Sequence, residues 1–225
     1  MLRFTPLLLA ALYGFVAYHF SAWRTARALD ARSTALADPR LQELTARLAQ
    51  ALDLPRLRVH IYEVPTINGL AAPDGRIFIT RGFYDRYRAG AVTPEELASV
   101  IAHELGHVAL GHARRRMIDF SGQNALRTGL AMLFNRVLPG IGGWLAGALT
   151  SLLAAHISRR DEFEADAYAS ALLIKAGIGT APQISLFEKL DALTGGSGAP
   201  AWLLSHPRTQ ARIAAIRQNQ AKWLG

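Results

Sequence analysis

The sequence predicts an α+β fold that is mainly α-helical and contains one small β-sheet. Residues 93–108 combine a helix start signal with helically spaced apolar residues, and residues 57–64 alternate apolar and polar side chains with a period of two. An apolar run over residues 6–23 adds an N-terminal membrane anchor helix. A chain of 225 residues is long enough for one domain plus such attachments.

The N-terminal apolar run has His19 as its only strongly polar residue. Its length is close to the roughly 20 residues that cross a bilayer. A cleaved signal peptide is the alternative, but no clean small-x-small cleavage site ends the run. We therefore predict an uncleaved transmembrane anchor at residues 1–28, followed by a single domain at residues 29–225.

The first part of that domain contains a helix and the predicted sheet. Residues 39–52 have the pattern of an amphipathic helix, and the strand at 57–64 follows it. Residues 67–72 and 76–80 then flank Pro73-Asp74-Gly75, a turn signal that predicts a β-hairpin. An exposed hairpin edge can bind an extended peptide as an added strand. A purely structural hairpin is the alternative.

The next helix contains the most informative motif of the chain. Thr93-Pro94-Glu95-Glu96 is a capping box with proline at the first helical position. His103 and His107 lie four residues apart and project from one face of this helix, so both imidazoles can reach one zinc ion. Glu104 is placed to transfer a proton beside that ion. The stripe expected to bury the helix consists of Leu97, Val100, Ile101, Leu105 and Val108.

A catalytic zinc site needs a third protein ligand. Cysteine is absent from the chain, and Leu110 and Ala113 occupy the positions where the motif H-E-x-x-H-x-x-G-x-x-H requires glycine and histidine. His112 follows His107 by five residues, so we expect it to point away from the zinc face and to be structural or exposed. A carboxylate from a second helix remains.

Residues 158–169 are the best source of that carboxylate, and Gly177 marks the end of their helix. Glu162 and Asp166 lie one turn apart, so Glu162 could bind the metal while Asp166 accepts a hydrogen bond from a ligand histidine. The alternative is an ordinary acidic helix start that complements the helix dipole. Spacing alone leaves the choice between Glu162 and Glu164 open.

A second apolar stretch, at about residues 120–157, separates the two candidate ligand helices. Polar residues in its first half are too costly for a lipid-facing span, and its second half is short. A Pro-Gly break at 138–143 predicts a helical hairpin insertion that packs on the domain or dips into one leaflet. Further helices are predicted at 182–193 and 207–220, with a glycine-rich loop at 194–200.

The motif H-E-L-G-H, followed by S-R-R-D-E-F-E-A-D-A-Y-A from residue 158, resembles the HtpX, CAAX prenyl endopeptidase and BepA type of zinc metallopeptidases, which are gluzincins. Residues 68–71 and 75–82 are similar to the N-A-F-A…G-x-I-x-V-x-x-G segment of that family, with Gly69-Leu70 in place of the usual Ala-Phe. Residues 205–213 are similar to its S-H-P…R-I motif.

This resemblance implies a zincin-type catalytic domain and a role for each site residue. Glu162 would be the third zinc ligand, and Asp166 would hold a ligand histidine from outside. His206 would stabilise the oxyanion or cap the zinc, although on sequence alone a histidine before proline is typical of a turn. Arg212 would brace the site, and Asn68 would lie next to the substrate.

The net charge of +8 comes mainly from arginine. Arginines follow the predicted anchor and bracket the apolar insertion, which suits anionic lipid head groups. No nucleic-acid motif supports a DNA-binding surface. Only Arg3 precedes the anchor, so we expect the catalytic domain on the cytoplasmic face of a bacterial inner membrane, with the periplasmic face as the alternative.

Together these features predict a membrane-anchored zinc metalloendopeptidase with one Zn²⁺ per chain. It would hydrolyse extended or misfolded polypeptides with a zinc-activated water, and the resemblance implies a role in protein quality control. Its expected partners are polypeptide substrates and membrane lipids, not nucleic acid. One alternative is a non-proteolytic, chaperone-like zinc scaffold. The other is a basic membrane or nucleic-acid module in which the motif is accidental.

Overall fold

A computed structural model describes residues 19–20, 23–24, 26–72, 74–112, 130–131, 133–136, 141–190, 206 and 210–224. Its elements are, in order, β1 (Ser33–Ala35), α1 (Pro39–Ala51), β2 (Val59–Tyr62), β3 (Gly69–Ala71), β4 (Ile77–Thr80), α2 (Arg81–Arg88), α3 (Pro94–Ala109), α4 (Gly142–Lys175), α5 (Ala181–Lys189) and α6 (Gln210–Leu224). The predicted α+β class, mainly helical with a small sheet, is confirmed.

The sheet has the strand order β1-β2-β4-β3. β3 and β4 pair antiparallel, with Gly69 opposite Ile79, so the predicted hairpin is confirmed. β4 also pairs in parallel with β2, which itself pairs antiparallel with β1. Neither β1 nor α2 is predicted by the sequence, because their 3 and 8 residues are too few to show a clear period. The strand order places β3 at one edge of the sheet.

Helix α3 runs through the hydrophobic core. It begins at the predicted capping box, in which the Thr93 hydroxyl accepts a hydrogen bond from the backbone N–H of Glu96 and the Glu96 carboxylate accepts one from Thr93. Residues 96–107 are all buried, so the two histidines of the motif occupy fixed positions. The predicted apolar stripe is wrong only at Val108, which is 37 % exposed.

Helix α4 is a single helix of 34 residues. It joins the second half of the predicted insertion to the segment that carries Glu162. The interpretation of this segment as an acidic helix start is therefore wrong, because Glu162 lies near the middle of the helix. The predicted end is confirmed, since Gly177 follows the helix with a φ of +67°.

Other predictions fall mostly outside the described residues. They are the anchor at 1–28, the first half of the insertion and the loop at 194–200. The division into an anchor at 1–28 and a domain at 29–225 therefore remains a prediction. Among the residues that are described, no helix combines the length and apolar character required to cross a bilayer.

Candidate metal centre

The site forms where α3 and α4 cross at close range. Gly106 of the H-E-L-G-H motif lies against Ala165 of α4. A Cβ built on this glycine would be 3.0 Å from the carbonyl oxygen of Ala165 and 3.1 Å from its Cα. A larger residue at position 106 would push the helices apart. This close crossing brings side chains from both helices together at one point.

Four buried side chains converge beside the crossing. The Nε2 atoms of His103 and His107 are 3.1 Å apart, and the carboxylate oxygens of Glu162 lie 3.4 Å and 3.5 Å from them. Nδ1 of His206 is 3.3 Å from the His103 nitrogen and 2.9 Å from Glu162 Oε2. All four potential ligand atoms lie within 4.8 Å of one another. Imidazole nitrogens with one carboxylate are a donor set that suits zinc.

The helical rotation of α4 selects between the two glutamates that spacing left open. Glu162 is 2 % exposed and faces the histidines of the motif. Glu164 faces elsewhere, with its carboxylate 3.3 Å from His112 and 2.8 Å from the guanidinium of Arg160. Only Glu162 therefore belongs to the candidate ligand cluster.

The outer side of His103 is held by a buried charge network. Its Nδ1 lies 3.0 Å from Asp166 Oδ1. Arg212 donates two hydrogen bonds to the same carboxylate, at 2.6 Å and 2.8 Å, and its Nη1 is 3.3 Å from Glu162. The guanidinium also lies 4.8 Å from the centre of the Phe187 ring. Asp166 and Arg212, which the resemblance places around the site, thus contact the candidate ligands directly.

The surroundings set the charge of each group. Burial and the positive charge of His103 lower the pKa of His107 to about 2, which keeps its imidazole neutral. Burial opposes protonation of His103, but its bonds to Asp166 and Glu162 raise its pKa to about 9. Burial opposes ionisation of Glu162, yet hydrogen bonds with His103 and His206 lower its pKa. Burial also opposes ionisation of Asp166, whose pKa is lowered by Arg212 and His103. The two carboxylates thus face the guanidinium of Arg212 and the imidazolium of His103, and a metal ion on Nε2 of His103 would replace the proton that the ring carries there.

Glu104 lies next to this cluster, and Asn68 directly precedes Gly69, which packs on Glu104. Oε1 of Glu104 and Oδ1 of Asn68 are buried and have no hydrogen-bond partner among the described residues. Oε1 of Glu104 is 3.4 Å from Nε2 of His206. A Cβ built on Gly69 would be 2.7 Å from Val100 and 3.5 Å from the Glu104 side chain. Strand β3 therefore packs directly on the motif helix, beside Glu104.

His112 is not among the four candidate ligands, and of the two predicted alternatives the structure favours a buried structural residue over an exposed one. Helix α3 ends at Ala109, and Gly111 has a φ of +65°, a left-handed conformation that turns the chain. The His112 ring is consequently buried, with its Nδ1 2.8 Å from Nδ1 of His107. The glycine is a typical helix stop, and it is the one signal in the sequence that argues against continuing the helix to residue 112.

The chain is similar to known peptidases over most of its length. A model of Peptidase family M48 matches residues 35–220. Metalloprotease LoiP of Escherichia coli is 30% identical over 182 residues, which are 81% of this chain and 70% of that protein. Metalloprotease YcaL of the same organism is 30% identical, covering 81% and 69%, and protease HtpX of Pseudomonas aeruginosa is 27% identical, covering 65% and 59%. The chain therefore belongs to peptidase family M48 and is a zinc metalloendopeptidase.

Proposed function

We propose that this peptidase cleaves extended or misfolded polypeptides at a membrane surface, in protein quality control. His103, His107 and Glu162 are its zinc ligands, and Glu104 is its general base. The observation that carries this proposal is the buried donor cluster, in which an ionised carboxylate and two histidines converge next to the unpartnered oxygen of Glu104.

Each side chain has a defined task in peptide hydrolysis. When bound, zinc supplies Lewis-acid polarisation of the scissile carbonyl and acidifies a water molecule. Glu104 takes the proton of the attacking water through its free oxygen and passes it to the leaving amine. His206 faces the same space with Nε2 3.4 Å from Glu104, where an N–H can stabilise the developing oxyanion.

His206 also caps the cluster at rest. Its Nδ1 lies among the candidate ligand atoms, at 3.3 Å from the His103 nitrogen. The Asp166 carboxylate lies 3.0 Å from Nδ1 of His103 and orients that ring by its charge, and Arg212 holds the carboxylate in place. Glu162 and Asp166 lie on α4 and Arg212 lies on α6, so helical backbone keeps the ligands oriented for the reaction.

The substrate binds as an added strand along β3. Among the described strands, β3 lies at a sheet edge, and Gly69 within it packs against Glu104. A peptide pairing with this edge is held by backbone hydrogen bonds, which require an extended conformation but little side-chain specificity. Asn68, immediately before the strand, has a buried side-chain oxygen available to a substrate N–H. An extended or unfolded polypeptide meets these requirements.

The membrane association rests on the last residues of the predicted anchor at 1–28. Phe20 and Trp23 are 55 % and 54 % exposed, and the guanidinium groups of Arg24 and Arg27 lie over their rings at 5.9 Å and 5.4 Å. Aromatic rings next to arginines are typical of the interface between lipid and water. We place the catalytic domain on the cytoplasmic face, because Arg24, Arg27 and Arg32 follow the apolar run at 6–23.

The E104Q variant tests the proposed mechanism. We expect it to lose cleavage of casein, because glutamine cannot accept the water proton, while zinc stays bound at one ion per chain. E188Q makes the same chemical change at an exposed glutamate that pairs with Arg217 on the surface, and it should cleave like the wild type. Undiminished cleavage by E104Q would remove Glu104 from its assigned role.

A further inference from the structure

A chain of polar contacts continues outward from His107. Nδ1 of His112 lies 2.8 Å from Nδ1 of His107. Nε2 of His112 lies 3.3 Å from Glu164 Oε2 and 3.8 Å from Asp161 Oδ1. His112 and Asp161 are 1 % and 0 % exposed, whereas the Glu164 side chain is 29 % exposed, so the chain of contacts runs from the buried site towards the surface. None of the roles proposed above explains why a second histidine is buried against a candidate ligand.

Two interpretations of this arrangement compete. The ligand atoms of His112, Asp161 and Glu164 lie within 4.8 Å of one another, which is compatible with a second divalent cation. The same atoms are also compatible with a hydrogen-bonded relay that orients His107. The two Nδ1 atoms are 2.8 Å apart, which is a hydrogen-bond distance, so one of them carries a hydrogen and the other accepts it. Which nitrogen carries that hydrogen decides between the two interpretations.

The position of that hydrogen follows from the inner side of His107. Its Nε2 faces the cluster, 3.1 Å from the His103 nitrogen and 3.5 Å from Glu162, and needs a free lone pair to bind metal. The hydrogen of a neutral His107 ring is therefore on Nδ1 and is donated to Nδ1 of His112. His112 must then carry its own hydrogen on Nε2, where it faces Glu164 and Asp161 and cannot coordinate a cation.

We propose that His112 is a positioning residue for the zinc ligand His107, and that Glu164, with Asp161 beside it, accepts the outer hydrogen of this relay, so that these groups do not form a second metal site. The proposal rests on the proposed function, in which His107 binds zinc. The relay fixes the tautomer and the ring orientation of His107, as Asp166 does for His103. Arg160 holds the terminal carboxylate through a 2.8 Å bond to Glu164.

A pair of variants of equal shape isolates the accepting atom of residue 112. In H112N the amide oxygen takes the place of Nδ1 and still accepts the hydrogen of His107, whereas H112L offers no acceptor. We expect H112L to weaken zinc binding by roughly 10–100-fold, as is typical when an outer partner of a ligand histidine is removed. H112N should restore most of that affinity.

The measurement is zinc affinity by competition with a chelator, on the full chain, together with the visible spectrum of the cobalt-substituted protein. A changed cobalt spectrum in H112L that reverts in H112N reports ligand geometry and does not depend on protease activity. Equal zinc affinity of H112L and H112N, both folded by circular dichroism, would refute the relay. In H107A, by contrast, retention of wild-type zinc affinity would overturn the proposed ligand set itself, so the two failures are distinguishable.

Nitrogen NMR of the zinc-loaded wild-type protein keeps the proposal testable if H112L does not fold. The ring resonances of His112, assigned by their loss in H112N, should show a neutral ring with its hydrogen on Nε2. A hydrogen on Nδ1 would contradict the relay. Metal analysis gives a further check, because two zinc ions per chain would favour the second cation site and overturn the proposal.

Discussion

Replacing Arg212 by leucine tests how far the metal centre depends on its outer charge network. Arg212 is 1 % exposed and donates two hydrogen bonds to Asp166, with a further contact to Glu162 at 3.3 Å. Leucine fills part of the volume but leaves both carboxylates without their guanidinium. Asp166 also loses its two hydrogen bonds from Arg212. The carboxylate that contacts the ring of His103 is then no longer held in place.

The expected loss is large because a buried charge is left uncompensated. Breaking a buried ion pair by removing one partner costs about 3–5 kcal/mol. For a chain of this size each kcal/mol shifts the melting temperature by roughly 2–4 °C, so R212L should melt roughly 6–20 °C below the wild type. Zinc affinity should fall too, by about 10-fold or more, because the outer partner of a ligand histidine is displaced.

The assay is thermal unfolding followed by circular dichroism, with and without a chelator, combined with zinc competition. R217L is the matched control, because Arg217 lies on the same helix in an exposed pair with Glu188 at 3.2 Å. Exposed pairs contribute little, so R217L should stay within about 0.5 kcal/mol of the wild type. If R212L behaves like R217L in both melting temperature and zinc affinity, the idea of a brace is wrong.

Two further predictions concern the parts of the fold that position the site. A Cβ at Gly82 would overlap the carbonyl oxygen of Pro65, so G82A should destabilise the protein by roughly 1–3 kcal/mol in urea unfolding, whereas G143A, with open space around it, should not. Asp38 caps α1 and accepts a hydrogen bond from Tyr87, so D38A should cost about 1–2 kcal/mol at pH 7. Burial opposes ionisation of Asp38, but these bonds lower its pKa below the usual 3.8. The stabilisation by the ionised carboxylate is therefore complete above pH 3.8 and is lost as the pH falls through the lowered pKa. The difference in free energy of unfolding between D38A and the wild type should shrink over the same range.

The features that the sequence predicts well are local ones. The capping box, the helix from Pro94 and the shared face of His103 and His107 all follow from neighbouring residues and helical geometry. The hairpin likewise follows from a turn signal between two short apolar segments. These elements need no information about the rest of the chain.

The remaining features depend on contacts between distant segments. The choice of Glu162 over Glu164 is made by the rotation of α4 where it crosses α3, which spacing along the chain does not contain. His206 and Arg212 lie more than 90 residues beyond the motif, and only the resemblance indicated them. The sequence left His112 as either structural or exposed, because its burial against His107 depends on where α3 ends, and a helix boundary is uncertain by one or two residues.

The same contacts that complete the metal centre also hold the fold together. Arg212 belongs to α6, whereas both of its carboxylate partners belong to α4, so docking of the last helix and orientation of His103 depend on one guanidinium. A metal that binds only the folded chain stabilises it by an amount that grows with the logarithm of its affinity. It follows that zinc should raise the melting temperature of R217L as much as that of the wild type, and that of R212L by less. An equal rise in all three proteins would show that helix docking and metal binding are independent, against the geometry of this network.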